Sequence, residues 1–132
     1  MKSIVFIICG FMLVQVLASC RRIHAVLHPA ANIEFLTPTL YDFGEHDTID
    51  SVYYTLIYKN VGDVPFVINQ VETNCGCTTA RYSKEPLPPG QTDSIRIALQ
   101  TQHLLITYLH KTITIYSNAD SAYHVVVKGK LK

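Results

Sequence analysis

With 132 residues the chain holds one ordinary domain at most, and about 20 of them at the amino end read as a targeting segment, leaving roughly 110 to build a core. A domain of that size buries enough surface to stand without staples, so a disulfide or structural metal is permitted but not required. Lys and Arg number 11 against 10 Asp and Glu, Lys2 departs with the leader to leave ten of each, and the absence of a basic stripe argues against nucleic acid as a partner.

The chain opens on Lys2, then the apolar run Ile4, Val5, Phe6, Ile7, Ile8, Phe11, Met12, Leu13 and Val14, then small residues at Ala18 and Ser19. This is the three-part pattern of a secretory leader. The 14 residues from Ile4 to Leu17, interrupted by Gly10 and Gln15, fall short of the roughly 20 that cross a bilayer as a helix. The ending sharpens the reading: Leu17-Ala18-Ser19-Cys20 resembles the lipobox of bacterial lipoproteins, in which a branched residue and two small ones precede the cysteine that becomes lipid-modified. That resemblance implies cleavage in front of Cys20, a diacylglyceryl thioether on its sulfur and an acylated new N-terminus. Several acyl chains on one residue make a stable anchor, since each buried methylene contributes about 0.8 kcal/mol. Cys9 follows the bulky Ile8, unsuited to that cleavage, and leaves with the leader. Arg21, Arg22, His24, Pro29, Ala30, Ala31 and Asn32 show no periodicity and read as a tether. The expected organisation is a lipoprotein signal peptide over 1–19, a lipidated tether over 20–32 and a domain over 33–132. No acidic residues follow Cys20 directly, which favours a lipoprotein of the inner or outer membrane that faces the periplasm.

In the body, strands are expected around Ile33 to Leu36 and Tyr41 to Phe43. Val52, Tyr54, Leu56 and Tyr58 then alternate with Tyr53, Thr55, Ile57 and Lys59, a long strand that stops at the turn Asn60-Val61-Gly62-Asp63. Phe66, Val67, Ile68 and Val71 make the next β-prone stretch, with Pro65 near its start, and the two runs are expected to pair as a hairpin. Pro86, Pro88, Pro89 and Gly90 bend the chain into Ile95, Ile97 and Leu99, an alternating strand with one apolar face. Leu109, Ile113 and Ile115, a Ser117-Asn118 turn, and Tyr123, Val125 and Val127 give a closing hairpin, with Lys128, Lys130 and Lys132 as a solvated strand edge. About seven short strands without an amphipathic helix predict an all-β, immunoglobulin-like β-sandwich, although the Cys-Trp-Cys core of true immunoglobulins is absent.

Asn74-Cys75-Gly76-Cys77-Thr78 is the most unusual motif of the body. Two cysteines one residue apart admit a small-ring disulfide that is easily reduced, a soft-metal site for an ion such as Cu(I), or small side chains packed at a sandwich corner. The ring would add little stability. A structural zinc would need four ligands at wider spacing, and His46, His103, His110 and His124 are distant in sequence. Asn60-Val61-Gly62-Asp63-Val64-Pro65, Asn74-Cys75-Gly76-Cys77-Thr78, Pro86-Leu87-Pro88-Pro89-Gly90, Lys111-Thr112-Ile113-Thr114-Ile115-Tyr116-Ser117-Asn118 and Lys128-Gly129 together resemble the successive motifs of the domain-of-unknown-function family 1573, over about residues 40 to 131. The resemblance implies exported or lipid-anchored proteins of Gram-negative bacteria, an immunoglobulin-like fold and no assigned activity. One departure is Thr107, where the family usually carries glycine ahead of the strand near Leu109.

Chemistry finds little support elsewhere. There is no Gly-x-Ser-x-Gly nucleophile turn, no phosphate cradle and no dinucleotide fingerprint. Glu45, His46, Asp47 and Asp50 lack the spacing of a calcium loop and read as a solvated loop between strands. The expectation is therefore a non-enzymatic module without a cofactor, held to a membrane through Cys20 and making contacts with a protein partner. The alternative is a thiol-redox or soft-metal-handling protein that uses Cys75 and Cys77. Tyr53, Tyr58, Tyr82 and Tyr116 are candidate contact aromatics, or covers for the core with wet hydroxyls.

Overall fold

The computed structural model describes residues 29–47, 50–102 and 108–132. The expected leader, Cys20, most of the tether, His103 and Thr107 lie outside the described residues. The described residues contain eight strands and no helix: β1 (Ile33–Phe35), β2 (Leu40–His46), β3 (Ser51–Asn60), β4 (Ile68–Thr73), β5 (Thr78–Arg81), β6 (Thr92–Gln100), β7 (Tyr108–Ser117) and β8 (Tyr123–Leu131). They form two four-stranded sheets, ordered β1-β3-β6-β5 and β2-β8-β7-β4. This is the β-sandwich expected from the sequence.

Alternation builds the core. Val52, Leu56 and Tyr58 of β3 face inward together with Ile95, Ile97 and Leu99 of β6. From the other sheet come Leu109, Ile113 and Ile115 of β7 and Val125 and Val127 of β8. Each aliphatic side chain removed from water at this interface contributes roughly 1.5–3 kcal/mol, which makes the inner face the dominant stabilising feature. Phe66 closes one end, meeting Tyr58 and Tyr123 edge to face at centroid distances of 5.8 and 6.2 Å.

The expected hairpin between the Val52–Lys59 and Phe66–Val71 runs does not form. β3 pairs with β1 on one side and β6 on the other, so neither of its edges is free for β4, which pairs with β7. The donors of the turn are also committed elsewhere. Val61 and Gly62 N–H donate to Asn32 O at 3.0 and 3.2 Å, and Asp63 N–H donates to Ala30 O at 3.1 Å. The turn therefore carries the chain across to the second sheet. The same bonds place Ala30–Asn32 against the domain, and Ala31 is buried. Phe66 leaves the expected strand to pair with Leu87 in the proline-rich bend, through reciprocal bonds of 2.9 and 2.8 Å.

Three further differences matter for the surface. β5 is an eighth strand that alternation did not reveal, because Thr78–Arg81 is four residues long and has no apolar run. β8 is not an edge: it lies between β7 and β2, antiparallel to the first and parallel to the second. Its lysines and the following Lys132 accordingly meet the acids of β2, with Lys128 3.5 Å from Asp42 and Lys130 and Lys132 2.9 and 3.3 Å from Glu45. Glu45 and His46 thus belong to a strand, and only Asp47 and Asp50 lie in the connection.

Two glycines mark close approaches. A Cβ on Gly129 of β8 would clash with three ring carbons of Phe43 on β2, and one on Gly62 would strike the backbone of Ala30 and Asn32.

Candidate functional site

The Cys75–Cys77 segment links β4, the edge of one sheet, to β5, the edge of the other. Cys75 and Cys77 are joined by a disulfide across one residue. Both are half-buried, while Asn74 and Gly76 at the tip are exposed. The local backbone folds around the bridge: Cys77 N–H donates to Cys75 Sγ at 3.1 Å, and Thr78 N–H donates to Cys75 O at 3.2 Å. The Thr73 hydroxyl sits between the carbonyls of Cys75 and Thr78 at 3.1 and 3.2 Å, sharing its one proton between them. On the inner side, Gln100 N–H donates to Cys77 O at 2.8 Å, extending the β5–β6 ladder into the loop. A strand-end hydroxyl and a sheet bond therefore hold the bridge on either side. Chemically it can accept a thiolate at one sulfur and release the other, the exchange open to a small-ring disulfide. Thr78 Oγ1 lies 3.9 Å from Cys77 Sγ.

The described histidines do not converge on this loop. His46 sits on β2 with its Nε2 2.8 Å from Phe43 O, and His124 on β8 lies 3.3 Å from the Thr114 hydroxyl. His110 is exposed on β7, and His103 lies outside the described residues. No group of three or more His, Cys, Asp and Glu side chains that could hold a metal occurs among the described residues.

The four candidate tyrosines separate by face. Tyr58 is only 2% exposed and belongs to the core, where burial and the neighbouring Asp93 push its phenol up to about 12. Tyr82 is half-buried against the core. Tyr116 is exposed on β7, and the nearby Glu72 carboxylate raises its phenol above the ordinary value. Tyr53 is the most open, 74% exposed on the outer face of β3. It borders a hollow of about 450 Å³ whose other walls include Arg81 of β5 and Arg96 of β6. Neither arginine stands out in the sequence, since 15 positions separate them and only the β5–β6 pairing makes them neighbours.

Among solved structures, the chain is similar to a protein of unknown function from Porphyromonas gingivalis W83. They share 24% identity at a TM-score of 0.68, over 76% of this chain and 47% of that one. It is also similar in fold to two Vibrio cholerae proteins, the VesB protease and the secreted serine protease VesC. VesB has 11% identity and a TM-score of 0.55 over 78% of this chain and 32% of that one. VesC has 14% identity and a TM-score of 0.52 over 80% and 24%. The chain spans less than half the length of each, and at these identities the likeness is one of fold alone. No curated protein matches the chain. Residues 33–131, which include the turn at Asn60, the cysteine pair, the proline bend and Gly129, match the family described as "Protein of unknown function (DUF1573)", and the chain belongs to that family.

Proposed function

We propose that the chain is a lipoprotein of the bacterial envelope, anchored by acyl groups on Cys20 and facing the periplasm, whose sandwich makes protein contacts and catalyses no reaction. The observation that carries the address is the Leu17-Ala18-Ser19-Cys20 sequence behind a short apolar leader. The contact role draws support from the open architecture. β1, β5, β2 and β4 end their sheets, and exposed strand edges and loops are what such folds offer to partners. Growth with a labelled fatty acid tests the anchor: the full chain should take up label and Cys20→Ala should not, and label retained by the variant refutes the reading. Crosslinking in intact envelopes tests the role, and reproducible failure to recover any partner defeats it.

A second reading is favoured by the Cys75–Cys77 bridge beneath an exposed loop tip. In it the bridge exchanges with a thiol of a partner or of the envelope's redox carriers. Alkylation of native protein with and without mild reductant, read by mass, separates the two. Thiols freed only by reductant at the poise of exported redox proteins support exchange, and a bridge that resists that poise counts against it.

A further inference from the structure

The outward positions of sheet β1-β3-β6-β5 fall into rows. Tyr53, Ala98 and Thr79 form one, and Thr55, Arg96 and Arg81 form the next. Arg81 and Arg96 are thus directly opposite each other on adjacent strands, and both are exposed. Like charges so placed oppose one another. Neither guanidinium is ion-paired to a carboxylate among the described residues, where the ion pairs all join lysines of β8 and its end to β2. Beside the pair lies the 450 Å³ hollow, with Tyr53, Thr79, Ala98 and Gln100 on its walls.

The backbone next to this hollow is also open. The bond from Gln100 N–H to Cys77 O fixes the alternation of the β5–β6 ladder. Thr79 and Arg81 then exchange bonds with Ala98 and Arg96, while Ala80 turns its N–H and C=O away from β6. β5 ends its sheet, so these two groups face the side on which another strand would add. A strand laid there sends alternate side chains onto the outer face, in line with Arg81.

We propose that this face is a docking site for an extended, carboxylate-bearing segment of a partner protein, which adds beside β5 and brings an Asp or Glu side chain to Arg81 and Arg96. The inference rests on the protein-contact reading above and supplies the chemistry of the partner. A carboxylate accepts from guanidinium groups in pairs and removes the repulsion between them, and Tyr53 offers a flat apolar wall to the neighbouring residue. An anionic membrane surface would be met by about four to eight clustered basic residues, whereas this hollow holds two beside an unpaired strand edge.

The test uses the full chain in detergent and a fluorescent hexaglutamate peptide, followed by anisotropy, with hexaglutamine, an oligogalacturonate and phosphatidylglycerol vesicles as comparison ligands. Hexaglutamate should bind saturably and hexaglutamine should not. Arg81→Gln/Arg96→Gln should weaken binding at least tenfold, Tyr53→Ala severalfold, and Arg81→Lys/Arg96→Lys should fall between the wild type and the Gln pair. The charge-matched Lys128→Gln/Lys132→Gln, on the other sheet, should leave binding within twofold. Absence of saturable peptide binding, equal loss in the two Gln pairs, or preference for the oligogalacturonate or the vesicles overturns the site. Envelope crosslinking with the same variants separates this failure from that of the wider reading. A partner captured equally by wild type and the Arg81→Gln/Arg96→Gln chain sinks the site and leaves the contact role standing, whereas no partner for the wild type sinks the contact role.

Discussion

The side-chain amide of Asn60 donates to the carbonyl of Leu87 at 2.8 Å, tying the end of β3 to the proline-rich bend 27 residues later. The same amide donates to Val64 O at 2.9 Å, and its oxygen accepts from Gly62 N–H at 2.9 Å. Asn60 is fully buried. Replacing it by Leu leaves Val64 O without a partner, at a cost of about 1–3 kcal/mol, while Leu87 O keeps its bond from Phe66 N–H and Gly62 N–H its bond to Asn32 O. We expect Asn60→Leu to lower stability by roughly 1–3 kcal/mol in urea unfolding, and Asn60→Asp to be at least as damaging, because a second acceptor then faces two carbonyls.

The close contact between Gly129 and Phe43 predicts a coupled pair. Gly129→Ala should cost about 1–3 kcal/mol by overpacking, and Phe43→Leu in that background should recover part of the loss. A double-mutant cycle from denaturant midpoints measures the coupling, and additive effects would refute the contact. Gly62→Ala meets backbone instead of a movable ring, so no single neighbouring substitution should relieve it.

These residues show how far the sequence could be read. Strand alternation identified the apolar faces and the sandwich because period-two patterning is local to each strand. Pairing was less legible. Asn60–Asp63 does form a turn, but nothing in its composition records that Asn32 and Ala30 take its donors and divert the chain to the other sheet. β5 is invisible to alternation because Ala80 is its only apolar residue, and the meeting of Arg81 and Arg96 is hidden with it. The lysines of β8 read as an edge because their partners, Asp42 and Glu45, lie some 85 residues earlier on a strand joined in parallel.

Tyr58 should make itself felt in alkali. Its phenol is raised from near 10 to about 12 by burial and by Asp93, so the fold favours the protonated form. The resulting stability is fully present below pH 10 and is lost as pH rises through the folded value. Ionisation of the unfolded chain should remove about 2 kcal/mol by pH 11.5. The difference in stability between wild type and Tyr58→Phe should shrink by that amount between pH 9 and 11.5, and a constant difference would disprove the assignment.

Glu45 works in the opposite direction. Hydrogen bonds from Lys130 and Lys132 hold its carboxyl below the usual range, so what it contributes is present above that range and disappears as pH falls through the lowered value. An NMR titration of the Glu45 carboxyl should move upward in Lys130→Ala/Lys132→Ala. The exposed site makes the change in melting temperature small.

The Cys75–Cys77 bridge closes so short a loop that cross-linking removes little freedom from the unfolded chain. Cys75→Ser/Cys77→Ser should destabilise by about 1.5 kcal/mol or less on chain-entropy grounds. A loss of several kcal/mol in denaturant unfolding would mean that the bridge organises the β4–β5 connection itself.

The parallel pairing of β2 with β8 sets the order in which the second sheet can close. β2 meets a strand that is synthesised some 85 residues after it, and it has no other strand partner among the described residues. On the ribosome, or in passage across a membrane, β2 must therefore wait unpaired until almost the whole domain has emerged. Closing so long a loop is slow. For that interval the edge that β2 will cover on β8 stays open, which gives a folding helper or a like strand from another molecule its longest opportunity to bind there.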